Sequence, residues 1–111
     1  ITRYKSYVFK NDGELYRIPY DDILYFEAES QNVRINLVTK SKTYFVKKTM
    51  NSILKELHDP RFMRTHKSCI INLYNVEKVD LINSVIYFSN NIETLLLSRN
   101  YKKELQERLL K

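Results

Sequence analysis

Two short stretches group side chains that could hold a phosphate or read a base edge. The first is Phe62-Met63-Arg64-Thr65-His66-Lys67-Ser68-Cys69-Ile70-Ile71-Asn72, where Arg64, His66, Lys67 and Ser68 crowd together between apolar residues. Arg and Lys reach phosphates or guanine edges, and a Ser hydroxyl suits a phosphate oxygen. The second is Leu97-Ser98-Arg99-Asn100-Tyr101-Lys102-Lys103. A helix beginning there offers free backbone N–H groups to a phosphate and sets Arg99 at an exposed corner, where it can probe a groove.

Catalytic chemistry has less to work with. No second His lies near His66 in the sequence, because His58 belongs to a different predicted element, so a metal site or nucleophile–base pair lacks its partners. Cys69 sits in an apolar run and reads as a small core residue. A single Cys cannot form an internal disulfide and supplies one ligand rather than a zinc site. The one Gly, Gly13, cannot build a dinucleotide fingerprint or a Walker loop. Asp21-Asp22 is explained by a turn entering a strand, and Asn72 by satisfying backbone groups in a turn. No enzyme activity, cofactor or metal is expected.

Strands must position most of this chemistry. Tyr7-Val8-Phe9 and Leu15-Tyr16-Arg17-Ile18 flank Asn11-Asp12-Gly13 and predict a hairpin ended by Pro19. A second apolar run covers Ile23 to Glu29 and is broken at Ser30-Gln31-Asn32. Val33, Ile35 and Leu37 then alternate with Arg34 and Asn36, the period of a half-buried strand. Lys40-Ser41-Lys42 predicts a turn before a strand over Thr43 to Lys47. Met50, Ile53, Leu54 and Leu57 share one face of a short helix with Thr49 as its N-cap, stopped by Asp59-Pro60. Strands are expected at Met63 to His66, Cys69 to Asn72, Val76 to Leu81, Val85 to Ser89 and Thr94 to Leu97, with turns at Asn75, Asn83-Ser84 and Asn90-Asn91. A last helix follows from about Arg99, with Tyr101, Leu105 and Leu109 on one face and Glu104 placed to pair with Arg108. Many short strands with two short helices predict a mainly β, antiparallel fold.

The chain has 111 residues, enough for one modest core without disulfides or metal. It carries 19 Lys+Arg against 13 Asp+Glu, a formal net charge of +6. Such an excess is drawn to phosphate backbones and acidic surfaces. Its apolar content of 43% is too high for a disordered tail, and no apolar run approaches a membrane span. Ile1, with no start Met and no signal peptide, leads us to expect a cytoplasmic domain cut from a longer chain.

Phe62-x-Arg64-x-His66-Lys67-Ser68-x-x-x-Asn72 followed by Val76 resembles the central signature of LytTR DNA-binding domains. Ile23-Leu24-Tyr25-Phe26-Glu27-Ala28 is similar to the family's early strand, the helix with Ile53, Leu54 and Leu57 falls in the family's place, and Leu97-Ser98-Arg99-Asn100-Tyr101 looks like its late Ser-Arg motif. The resemblance runs from about Tyr4 to Leu110. It implies an elongated stack of antiparallel β-sheets with two short helices, binding DNA through loops that enter successive major grooves and bend the duplex. It also implies the output domain of a bacterial response regulator, with an N-terminal receiver domain in the same chain, double-stranded promoter DNA with paired direct repeats as partner, and a dimer on that DNA.

Carried over position by position, the resemblance implies DNA contacts from Gln31, Asn32 and Arg34, from Arg64, His66, Lys67 and Ser68, and from Arg99. Lys67 stands where many members have Arg, which points to a phosphate rather than a two-pronged base contact. The loop at Gln31 to Val33 lacks the basic or His side chain that some members use there, leaving base reading to two amides. Two other readings remain open on the residues alone. A basic β domain could bind RNA or single strands by stacking on its nine Tyr, although Tyr25, Tyr44 and Tyr87 sit where an aromatic usually packs. A protein-interaction module could present the basic face to an acidic partner.

Overall fold

The computed structural model describes residues 5–39 and 42–111. Ile1, Tyr4, Lys40 and Ser41 therefore lie outside the described residues, the last two with most of the turn expected there. Strands β1 (Ser6–Asn11) and β2 (Glu14–Pro19) form the predicted hairpin. Asp12 at φ 49° and Gly13 at φ 81° supply the left-handed backbone its two-residue turn requires. The middle layer is an antiparallel sheet of five strands, β3 (Ile23–Glu29), β4 (Asn32–Leu37), β5 (Thr43–Val46), β6 (Phe62–His66) and β7 (Cys69–Asn72), in the spatial order β5-β4-β3-β7-β6. A third sheet joins β8 (Val76–Asp80), β9 (Val85–Phe88) and the short β10 (Glu93–Thr94). Helices α1 (Met50–Glu56) and α2 (Lys102–Leu109) complete a mainly β stack of 44 × 38 × 27 Å.

Apolar residues on both faces of the middle sheet explain the layering. One face carries Phe26, Val33, Ile35, Phe62 and Ile70 into a core with Tyr7, Phe9 and Ile18 of the hairpin and Ile53 and Leu57 from the helical segment. The opposite face carries Leu24, Tyr25, Met63, Cys69 and Ile71 into a second core with Ile86, Phe88, Leu97 and Leu105. A bulge between Ile23 and Tyr25 lets Leu24 and Tyr25 point to the same side, so the run Ile23-Leu24-Tyr25-Phe26 serves both cores. Most of the aromatic rings are consumed here: Tyr25 stacks on Phe88 at 5.2 Å, Tyr7 meets Phe26 edge-on at 5.5 Å, and Tyr44 packs against Phe9 and Tyr16. An exposed stacking platform for single strands is not what these rings form.

Local rules read from the sequence act where expected. The Thr49 hydroxyl accepts from the Ser52 N–H at 3.1 Å and caps α1. Asn72, fully buried, donates to the carbonyls of Tyr20 and Ile23 and accepts from the Tyr74 N–H, so its role is structural. The last helix starts with one 3-10 turn, Arg99–Tyr101, before α2. The expected strand over Thr94 to Leu97 is corrected: only Glu93–Thr94 pairs with β9. Leu97 is needed in the second core, so the chain turns away at Leu95 and crosses to β6. Along that edge, Arg108 of α2 donates to the carbonyls of Pro60 and Phe62 and ion-pairs with Glu104 at 2.9 Å, as the spacing predicted.

At the start of β6, Asp59 accepts from Lys5 Nζ at 2.9 Å and from the Arg61 N–H and Nε at 2.9 and 3.1 Å. Burial alone would raise its pKa, but these donors outweigh burial and hold the carboxyl down at about 2. A depressed carboxylate stabilises the fold above its unfolded pKa and loses that contribution as pH falls through the folded value. Chemical denaturation should therefore show stability falling between about pH 4 and pH 2. Asp59→Asn should cost about 2 kcal/mol at pH 5 and flatten the profile across that window.

Candidate nucleic-acid interface

Strand direction decides which loops share an end of the middle sheet. β3 is antiparallel to β4 and β7, and β7 to β6, so the β3–β4 turn and the β6–β7 turn emerge at the same end. The Ala28 N–H donates to the Ser68 carbonyl at 2.9 Å and ties the two together. The late motif is fastened to the same place: the Ser98 N–H donates to the Thr65 carbonyl, and the Thr65 hydroxyl donates to the Leu96 carbonyl, both at 2.8 Å. Three segments spread over some seventy positions thus meet at one end of one sheet. The acidic residues Asp21, Asp22 and Asp59 precede β3 and β6 and sit at the opposite end, where Arg61 binds Asp21 and Asp59.

The sequence-predicted residues divide into two groups there. Gln31, Asn32, Lys67 and Arg99 are exposed and make no side-chain hydrogen bond or ion pair with another described residue. Gln31 and Asn32 follow Ser30, which takes the left-handed conformation at φ 59° in the tight turn. His66 and Ser68 are half-buried; the His66 Nδ1 accepts from the Ser68 N–H at 3.0 Å. That bond calls for the tautomer protonated on Nε2, which leaves an N–H donor there.

The other two arginines are engaged within the protein. Arg34 ion-pairs with Glu29 and lies over the Phe45 ring at 5.6 Å. Arg64 donates through Nη2 to the Lys67 carbonyl at 2.7 Å, through Nη1 to Asn51 Oδ1 and, at 3.4 Å, through Nε to the His66 carbonyl. Cys69 is fully buried, and burial pushes its thiol up to about 12 while the Thr65 hydroxyl pulls weakly the other way. Among the described residues no group of three or more His, Cys, Asp or Glu is placed to hold a metal. Among the described residues no helix is long and apolar enough to cross a membrane.

Two residues of this region are absent from the sequence-based set. Asn51 is a solvent-facing position on α1 with no distinguishing signal. Thr65 did carry one: it has the parity of Met63 in β6, so a hydroxyl stands where the pattern asks for an apolar side chain, and it needs a buried partner.

The family described as the LytTr DNA-binding domain matches residues 13–110. The chain belongs to the LytTR family of DNA-binding domains. It is 33% identical over 90 residues to the accessory gene regulator protein A of Staphylococcus epidermidis, covering 78% of this chain and 35% of that protein. It is 32% identical over 91 residues to the accessory gene regulator A of Staphylococcus aureus, covering 78% and 36%. The chain thus spans about a third of the length of these relatives. In fold it is similar to the LytTr DNA-binding domain of a Bacillus cereus protein assigned as a methyl-accepting/DNA response regulator, with a TM-score of 0.74, 17% identity, and 95% and 98% of the two chains covered.

In this LytTR domain the link from Thr65 to the 96–98 segment carries the late motif. Thr65→Val keeps the shape but strands the Leu96 carbonyl. It should cost about 1–2 kcal/mol in denaturant unfolding and speed amide exchange at Ser98, with the β3–β4 turn unaffected.

Proposed function

We propose that this LytTR domain is the output domain of a two-component transcription regulator and binds double-stranded promoter DNA sequence-specifically through the loop end of its middle sheet. One observation carries the reading: Lys67 and Arg99, exposed cations with no side-chain partner among the described residues, stand at the end that also presents Gln31 and Asn32. An unpaired arginine can grip guanine O6 and N7 together, and Arg99 takes that part. Lys67 is a point charge on a flexible stem, suited to a phosphate, with the Ser68 hydroxyl and the His66 Nε2–H as neighbouring donors. Gln31 and Asn32 read base edges through their amides. Arg34 and Arg64 belong to the same surface with guanidinium groups already partly engaged.

The loops enter successive major grooves along one face of the duplex, and bending adds shape readout. Two copies on paired direct repeats, a receiver domain in the same polypeptide and a cytoplasmic setting complete the proposal. The similarity to a domain of a protein assigned as a DNA response regulator supports this assignment.

A titration of labelled duplexes and single strands at two salt concentrations should enrich a duplex motif; equal retention of single strands would overturn the reading. Arg99→Ala should then lose about 1–3 kcal/mol of discrimination at one base position. Lys67→Ala should weaken all duplexes alike and lower the log–log salt slope by about 0.9. Indistinguishable behaviour of the two variants would show that the division of roles is wrong.

A further inference from the structure

Arg64 has the sequence signature of a contact residue but not the freedom of one. Its strand β6 has an irregular register between Arg64, opposite Ile70, and His66, opposite Cys69. The guanidinium reaches past this irregularity to the carbonyls of His66 and Lys67, where β6 ends and the turn to β7 begins. Its remaining fork meets Asn51 Oδ1, on the exposed side of α1. A guanidinium only donates, so the Asn51 amide must present its oxygen, and the two side chains are matched in one orientation. The same turn is held on its other flanks by the His66 Nδ1 bond to the Ser68 N–H and by the Ala28 N–H on the Ser68 carbonyl.

We infer that Asn51 and Arg64 form a strut from helix α1 to the Lys67 carbonyl, and that Arg64 is a positioning residue for the DNA-reading turn rather than a contact to DNA. The inference rests on the reading of Lys67 as a DNA contact, and it names what keeps that side chain outward. Arg64 ties up the main-chain oxygen of Lys67, so the backbone of the turn is fixed while its ammonium stays free. The fork of donors is essential: a Lys at position 64 has one nitrogen and cannot bridge two carbonyls and an amide. Asn51, 13 positions earlier and on another element, is the outer anchor.

The test uses Arg64→Lys, Arg64→Met and Asn51→Ala, each checked for wild-type circular dichroism. Asn51 is exposed, so its variant is not expected to perturb folding. In the free protein, amide exchange at Lys67 and Ser68 should quicken about three- to tenfold in all three variants, and Asn51→Ala should add little on top of Arg64→Met. In duplex binding, Arg64→Met and Asn51→Ala should weaken affinity several-fold with an unchanged salt slope, and Arg64→Lys should fail to rescue. A phosphate contact by Arg64 would instead lower the slope by about 0.9 in Arg64→Met and be largely restored by Arg64→Lys. That pattern, or unchanged exchange in Asn51→Ala, overturns the strut. If the wild-type domain bound no duplex, the exchange data would still decide the strut, so its failure is separable from failure of the DNA reading.

Discussion

The antiparallel pairing of β3 with β7 is the constraint on which the rest of this domain depends. Tyr25, Phe26 and Glu27 face Ile71, Ile70 and Cys69 across a sequence separation of more than forty residues. This contact joins the N-terminal hairpins to the C-terminal half and puts apolar side chains on both faces of the sheet. A slip of one residue would exchange Ile70 with its neighbours and send each core's residues into the other, so the register is strongly specified. Loop-closure entropy opposes such a long-range pairing, and burial of Phe26, Ile70, Tyr25 and Ile71 offsets it.

The candidate surface follows from that register. With β3 and β7 aligned, the turns at either side of them leave from the same end, and the hydrogen bond from Ala28 to Ser68 locks one against the other. Thr65 then draws in the third segment through two bonds, one from its hydroxyl and one to its carbonyl. Lys67 and Arg99 stand exposed at the loop end with no side-chain partner among the described residues, while Asp21 and Asp59 hold Arg61 at the opposite end. Hydrogen bonding separates residues of one type within the cluster: among the described residues Arg99 has no side-chain partner, whereas Arg64 is bound at three donors.

Much of the fold is legible in the chain because its signals are local. The Asp12-Gly13 turn, the Thr49 cap, the pairing of Glu104 with Arg108 and the alternation in β4 each depend on residues a few positions apart. Where reading failed, a distant partner had the deciding say. Thr94 to Leu97 has the composition of a strand, but Leu97 is claimed by the second core and Ser98 by Thr65, so pairing stops at Thr94. Arg64 is a different case: its type and neighbourhood make it a candidate DNA contact, and the structure adds an internal partner, Asn51, a helix residue that nothing in the linear pattern connects to it.

The sequence by itself determined the mainly β class, the extents of most strands and both helices, the structural part played by Asn72, and the family, because propensities, turn chemistry and motif spacing act over short range. Tertiary structure alone decided which three segments meet, and which of their charged groups remain free for a partner. A guanidinium has fewer of its five N–H donors to offer a partner once carbonyls or carboxylates inside the protein have taken some of them, and that depends on atoms brought together by folding, not on order along the chain.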